Sequence, residues 1–276
     1  MLSVNHSLAD GGTFYELWRM LDTTQPVSEI KFDRIPGIQD LVAEHTDLIE
    51  MAQGNRAYFA ASSVFHYLGR GMMRTMTCKS QQAAYLYKVD MGEVNKIKTR
   101  FNSEQEGFYV STNDVLCSWF FRICVQNDRP FFTINLKNRL PGVDGTMAGN
   151  YMYNAPLHAS DVKSPKTFRQ AWQKWLYKEI GEEHGKMKPS VVWNFTTDWS
   201  QSYHQVELQR CVHRLHLPVV EVQPKFMGIP FGPMSSISPF LMNNGELAVY
   251  IYAYNDIMSE EHFDQCPLLE RKLQMM

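Results

Sequence analysis

The segment His6-Ser7-Leu8-Ala9-Asp10-Gly11 holds the residues of this chain best suited to chemistry. An imidazole exchanges a proton near neutral pH without any special environment. Where a strand gives way to a helix, it stands at a sheet rim and can act on a bound substrate as a general base. Asp10, four residues on, can fix the loop through hydrogen bonds or an arginine partner. Gly11 admits a close backbone approach that a Cβ would block. The plainer reading of the same residues is a surface histidine beside a helix-capping aspartate.

The elements that must carry these residues are legible in the hydrophobic pattern. Leu2 to Val4 ends a strand, and Phe14, Leu17, Trp18 and Leu21 recur at helical spacing after Gly11-Gly12, so His6 falls between the two. Further helices are expected over about 41–51 and 58–76, the second a core helix rather than a substrate wall. Residues 84–89 alternate as a strand, and Asp90 caps a helix running through Val94, Ile97 and Phe101. Ser111-Thr112-Asn113-Asp114 caps the next, whose Val115, Leu116, Trp119, Phe120 and Ile123 bury one face. A strand over 131–136 runs into a turn at Pro141-Gly142, and Ser164 or Pro165 opens a helix to about Glu183. Strands are expected over 190–195, 219–222 and 247–254. Strands alternate with helices throughout, which predicts an α/β fold with a mixed sheet and flanking helices.

Composition narrows the classes of function. The 276 residues are 44% hydrophobic, enough to bury a core, and 27 basic against 29 acidic residues leave a formal charge of −2. No run of either sign marks a nucleic-acid or anionic-membrane partner, and a small-molecule substrate fits better. Cys78, Cys117, Cys124, Cys211 and Cys266 form no CxxC pair, which suits a reducing, cytoplasmic setting. No uncharged apolar stretch is long enough to span a bilayer. Asn5-His6-Ser7 and Asn194-Phe195-Thr196 are sequons in form only. Cys211, His213 and His216 lack a fourth ligand at ordinary spacing, so no metal site is expected. There is no phosphate-binding Gly-x-x-x-x-Gly-Lys loop and no Gly-x-Ser-x-Gly elbow.

Three stretches in order carry a family resemblance: His6-Ser7-Leu8-Ala9-Asp10-Gly11, then Ser111-Thr112-Asn113-Asp114-Val115-Leu116, then Ile134-Asn135-Leu136-Lys137-Asn138-Arg139-Leu140-Pro141 followed by Gly149-Asn150. They resemble the H-x-x-x-D-G, S-T-N-D-x-L and R-x-R-L segments of the plant-type (BAHD-like) acyl-CoA-dependent acyltransferases. The resemblance implies a chloramphenicol-acetyltransferase-like fold, with the histidine in a tunnel between two similar domains. His6 would be the general base, with acyl-CoA as co-substrate and a small alcohol or amine as acceptor. Asp10 would be structural, paired with Arg139 of the R-x-R segment, and Gly11, Asn113 and Asp114 would support substrate or fold. Thr197-Asp198-Trp199 resembles the family's T-S-W segment, so the Thr197 hydroxyl or the Trp199 indole could donate to the oxyanion, a contribution of ~3–4 kcal/mol per donor, the plainer reading being that both pack in a strand.

Two departures accompany the resemblance. The family's D-F-G-W-G loop is absent from Tyr203-His204-Gln205-Val206-Glu207-Leu208-Gln209-Arg210-Cys211. The family also places much of its first domain before the histidine. Residues 1–105 are therefore expected to be an incomplete N-terminal acyltransferase domain with its crossover, and 106–276 the C-terminal domain. A second chain covering the absent half is an expected partner, and a non-catalytic binding fragment of the family is the alternative to an enzyme.

Overall fold

The computed structural model describes residues 10–27, 29–33, 35–50, 82–104, 108–124, 129–179, 193–208, 225–226, 229–230, 235–254 and 258–273. They are organised around an eight-stranded sheet. In spatial order its strands are β1 (Ile49–Glu50), β4 (Met152–Pro156), β3 (Arg129–Asn135), β5 (Trp193–Thr196), β8 (Ser235–Leu241), β9 (Leu247–Tyr254), β2 (Gln82–Val89) and β10 (Leu269–Lys272). β5 runs parallel to β3 and β8, and the other pairings are antiparallel. A separate ribbon joins β6 (Lys225–Phe226) to β7 (Ile229–Pro230). The expected α/β class with a mixed sheet is therefore the one the chain adopts.

Six helices accompany the described strands: α1 (Gly11–Arg19), α2 (Ile38–His45), α3 (Met91–Ser103), α4 (Thr112–Cys124), α5 (Pro165–Leu176) and α6 (Glu260–Asp264). Their starts follow local chemistry. Asp10, Asp90 and Ser164 each accept a backbone N–H of the first turn, from Thr13, Glu93 and Thr167, satisfying donors that would otherwise be orphaned. Ser111 and Asp114 cap α4 reciprocally, each side chain taking the other's backbone N–H.

Helix α4 was expected to bury one face. Instead it is enclosed on most sides, with Leu116, Cys117, Ser118, Phe120 and Phe121 all fully buried, because it packs against α3, α5, β5 and β8 at once. Each of its large apolar side chains contributes about 1.5–3 kcal/mol relative to exposure. On β9 the period of two separates two cores: Leu247, Val249, Ile251 and Ala253 join the larger one, and Ala248, Tyr250 and Tyr252 a smaller one with Leu86 and Phe240. Phe263 of α6 docks on Tyr85 at 4.7 Å and Tyr87 at 5.4 Å.

Several boundaries differ from expectation. The helix expected over 41–51 ends at His45, where Thr46 turns its hydroxyl onto the Val42 carbonyl and the chain becomes extended. Helix α5 stops at Leu176 rather than near Glu183, and Lys178 sits in the left-handed region at φ 57°. The helix expected over 58–76 and the strand over 219–222 lie outside the described residues. β2, before residue 105, pairs with β9 and β10, the last strands of the chain.

Candidate active site

His6 lies outside the described residues. Asp10 and Gly11, the end of its motif, are held in place by segments far away in sequence. Asp10 is 1% exposed. Its Oδ1 accepts the N–H of Thr13 at 2.8 Å and its Oδ2 the N–H of Tyr151 at 3.1 Å. The Asp10 N–H donates to the Gly149 carbonyl at 3.0 Å. Thr13 Oγ1 donates to that carbonyl at 3.0 Å and accepts the Gly149 N–H at 3.1 Å. A Cβ on Gly149 would stand 2.8 Å from the Tyr151 ring, so only glycine lets this loop close on α1. Beside this clasp the Asn150 Oδ1 and the Tyr151 hydroxyl are buried with no hydrogen-bond partner among the described residues.

The cation facing Asp10 is Lys137, not the expected Arg139. Lys137 Nζ lies 3.4 Å from Asp10 Oδ1 and 2.9 Å from Thr13 Oγ1, its side chain 6% exposed, and it sits 5.8 Å from the centre of the Tyr151 ring. Asn138, between the two cations, has a left-handed φ of 61°. The chain therefore turns after Lys137, and Arg139 is delivered to α5, where its guanidinium covers the Trp172 ring at 5.7 Å. Burial lowers the Arg139 pKa from its usual value.

The segment after β5 brings Thr197 and Trp199 to the same place. Thr197 N–H donates to the Ile237 carbonyl at 3.2 Å and Trp199 N–H to the Pro239 carbonyl at 2.9 Å. In a strand the N and C=O of one residue point to the same side. The missing N–H of Pro239 therefore faces the Trp199 loop and leaves the ladder to β9 intact. Trp199 Nε1 donates to Thr197 Oγ1 at 2.8 Å. A Cβ on Gly11 would meet that same Nε1 at 3.0 Å, so the indole rests directly on Gly11. Tyr15 of α1 meets Trp199 and Tyr203 edge-on at 6.0 and 6.2 Å, and burial raises its phenol pKa strongly. Trp18 Nε1 donates to the His204 carbonyl and Thr23 N–H to that of Glu207. Tyr203, His204 and Glu207, in the stretch where D-F-G-W-G was sought, thus meet α1 and the turn that follows it.

Asp114, 1% exposed, joins α4 to α5. Its Oδ2 accepts from Ser111 N at 2.8 Å, Ser111 Oγ at 2.7 Å and Arg169 Nη1 at 2.5 Å, and its Oδ1 from Trp172 Nε1 at 3.1 Å. Arg169 also stacks on Trp172 at 5.3 Å, so that ring lies within reach of two guanidinium groups. Asn113 Oδ1 accepts from Cys117 Sγ at 3.0 Å.

An open cleft of about 810 Å³ runs between the N-terminal ends of α3 and α4, the β8–β9 turn and, after β5, Asp198, Ser200 and Gln201. Ser111, Thr112, Asn113, Tyr109, Asp198 and Ser200 are among its walls. Asp198 Oδ1 accepts from Ser200 N at 2.9 Å and Ser200 Oγ at 2.6 Å. Burial pushes its carboxyl above the usual range against these bonds, and the charge of Asp114 adds to the rise.

The structure therefore gathers Asp10, Gly11, Thr197 and Trp199 at one site. It places Asn113 and Asp114 at the head of α4, and sends Arg139 elsewhere. Lys137, Thr13 and Tyr151 were missed; Lys137 stood in the same R-x-R-like segment, two residues from the one chosen. Arg169 and Trp172, three apart on α5, carried the signal of a shared helix face.

No protein-family model matches the chain, and no curated protein sequence matches it. Among solved structures it is similar to VibH, an NRPS condensation enzyme, at 13% identity and TM-score 0.48, covering 94% of this chain and 63% of that one. Similar too is F. graminearum TRI101 complexed with coenzyme A and T-2 mycotoxin, at 12% identity and TM-score 0.48, with 94% and 62% covered. Vinorine synthase follows at 10% identity and TM-score 0.38, with 69% and 48% covered. The chain spans less than two thirds of the length of each of these proteins.

Proposed function

We propose that the protein is an acyltransferase that moves an acyl group from acyl-CoA to a hydroxyl or amine acceptor, with His6 as general base. The observation that carries this reading is the meeting of segments remote in sequence. Asp10 and Gly11, Lys137 with Gly149, and Thr197 with Trp199 converge around one turn of chain, which begins four residues after His6 in the sequence. A purely structural helix cap at Asp10 has no need of a buried lysine, a glycine clasp and an indole stacked on the next residue.

In the proposed reaction His6 takes the proton of the acceptor O–H or N–H as its oxygen or nitrogen attacks the thioester carbonyl. The tetrahedral intermediate collapses, the C–S bond breaks, and the CoA thiolate takes the proton back from His6. No acyl-enzyme forms. The two candidate oxyanion donors separate by their hydrogen bonds. The Trp199 indole has one N–H, and Thr197 Oγ1 accepts it. The Thr197 hydroxyl keeps its own proton to donate, and accepting from the indole polarises it further. Thr197 is thus the oxyanion donor and Trp199 its positioning residue. Asp10 and Lys137 hold the loop, and Asn113 and Asp114 hold the head of α4.

Free-thiol release from acyl-CoA, followed with a panel of alcohols and amines for the chain and for His6→Ala, tests the reading. Acceptor-dependent release that His6→Ala abolishes supports it. Absence of release from folded protein leaves the alternative, a non-catalytic binding fragment of the same ancestry.

A further inference from the structure

Among the described residues, one carboxylate of the cleft has no cation beside it. Four acidic side chains line it: Asp90, Asp198, Glu246 and Glu270. Lys88 Nζ reaches Glu246 at 2.7 Å and Glu270 at 2.8 Å. Asp90 caps α3, taking the Glu93 N–H at 3.0 Å at the positive end of that helix. Among the described residues Asp198 receives the neutral donors of Ser200, and no cation lies within ion-pair distance of it. A carboxylate withdrawn from water without a cation is costly, and in a cavity such a group marks a place for a ligand of opposite charge. Its position is informative as well. Asp198 stands between Thr197 and Trp199, the two residues of the proposed oxyanion device.

We propose that Asp198 is a specificity-determining residue that selects acceptors carrying an ammonium group, an amino alcohol or a short diamine, by pairing with that ammonium in the cleft. The ammonium paired with Asp198 is not the group acylated. A second hydroxyl or neutral amine on the same molecule attacks the thioester, loses its proton to His6 and gives the ester or amide with free CoA thiol. The inference rests on the proposed acyl transfer for its chemistry, but not for its binding.

Calorimetric titration with putrescine and with butanediol of the same length, for the chain and for Asp198→Asn, tests it. The chain is expected to bind the diamine and not the diol. Asp198→Asn, shown by circular dichroism to be folded, is expected to lose roughly tenfold or more in diamine affinity. Equal diamine affinity in the two proteins, or no diamine binding to the folded chain, overturns the proposal. Should Asp198→Asn fail to fold, Asp198→Glu replaces it: retained charge with retained diamine binding supports the pairing, and lost binding with an intact fold speaks against it. Diamine binding that depends on Asp198, without acyl transfer to the diamine from acyl-CoA, would leave the cation site standing and remove the acyltransferase reading.

Discussion

Asp10 and Lys137 face each other across 3.4 Å with side chains 0% and 6% exposed, although 127 residues separate them in sequence. The pair is shielded from solvent screening, and Asp10 has two further backbone donors to satisfy its remaining acceptor capacity. Removing one partner of such a pair strands the other charge, which typically costs 3–5 kcal/mol. Lys137→Met is expected to lose about that much in urea denaturation and to abolish thiol release. Lys137→Arg keeps the charge and is expected to retain most of the stability. A Lys137→Met variant as stable as the parent would show that the two groups do not depend on each other.

Gly11 and Trp199 yield a sharper test, because a single methyl group separates the two outcomes. In Gly11→Ala the added Cβ would stand 3.0 Å from Trp199 Nε1. The ring must then yield, and overpacking of this kind costs about 1–3 kcal/mol. The hydrogen bond from the indole to Thr197 is expected to be lost with it, so acyl transfer should fall more than stability does. Trp199→Phe, which removes the donor and keeps the ring, should reproduce the loss of transfer with less loss of stability. Equal transfer rates in Trp199→Phe and the parent would count against Trp199 as positioning residue for Thr197.

Local signals were readable and long-range ones were not. Asp90, Ser111 and Ser164 announced their helices because a cap acts within three or four residues. Strand β8 escaped notice because Pro239 and its serines argue against a strand, and only the placement of its missing N–H toward the Trp199 loop makes it one. Strand β10, Leu-Glu-Arg-Lys, has no apolar alternation and exists as an edge on β2. The choice of Lys137 over Arg139 was invisible for a related reason. It depends on the backbone of Asn138, whose left-handed turn sends the two cations to opposite neighbours. At the candidate site, motif spacing pointed to Asp10, Gly11, Thr197 and Trp199, and backbone course determined which of them touch.

The Asp114 cluster should behave as a unit. Arg169, Trp172 and Ser111 all donate to one buried carboxylate, Ser111 through both its N–H and its hydroxyl, so removal of Asp114 orphans four donors at once. Asp114→Ala is expected to cost about 3–5 kcal/mol, and Trp172→Phe about 1–3 kcal/mol for the carboxylate oxygen left without its N–H. A double-mutant cycle between Asp114 and Arg169 should give a coupling well above the scatter of independent sites, which is ~0.3–0.5 kcal/mol. Additive effects would mean that the guanidinium owes its place to stacking on Trp172 rather than to Asp114.

Asp198 should weaken the fold as pH rises, the reverse of a paired carboxylate. Its folded pKa is raised by burial, so the native state binds its proton more tightly than the unfolded chain does. Where the unfolded state holds fewer protons, stability falls with increasing pH. The cost is absent below the ordinary carboxylate pKa, grows as pH climbs through the interval up to the raised folded value, and stays constant above it. Asp198→Asn removes that cost while keeping the shape and one acceptor oxygen for Ser200. The difference in stability between Asp198→Asn and the parent, measured by urea denaturation from acidic to neutral pH, is therefore expected to favour the variant increasingly as pH rises and then to level off. A bound diamine should reverse the sign, since an ammonium beside Asp198 favours its ionised form and pulls the pKa down. Diamine binding should accordingly release a proton at acidic pH and weaken as pH falls through the titration of Asp198. A stability difference that does not change with pH would show that Asp198 is solvated as well in the fold as in the unfolded chain, and would remove the physical basis for reserving it for a cation.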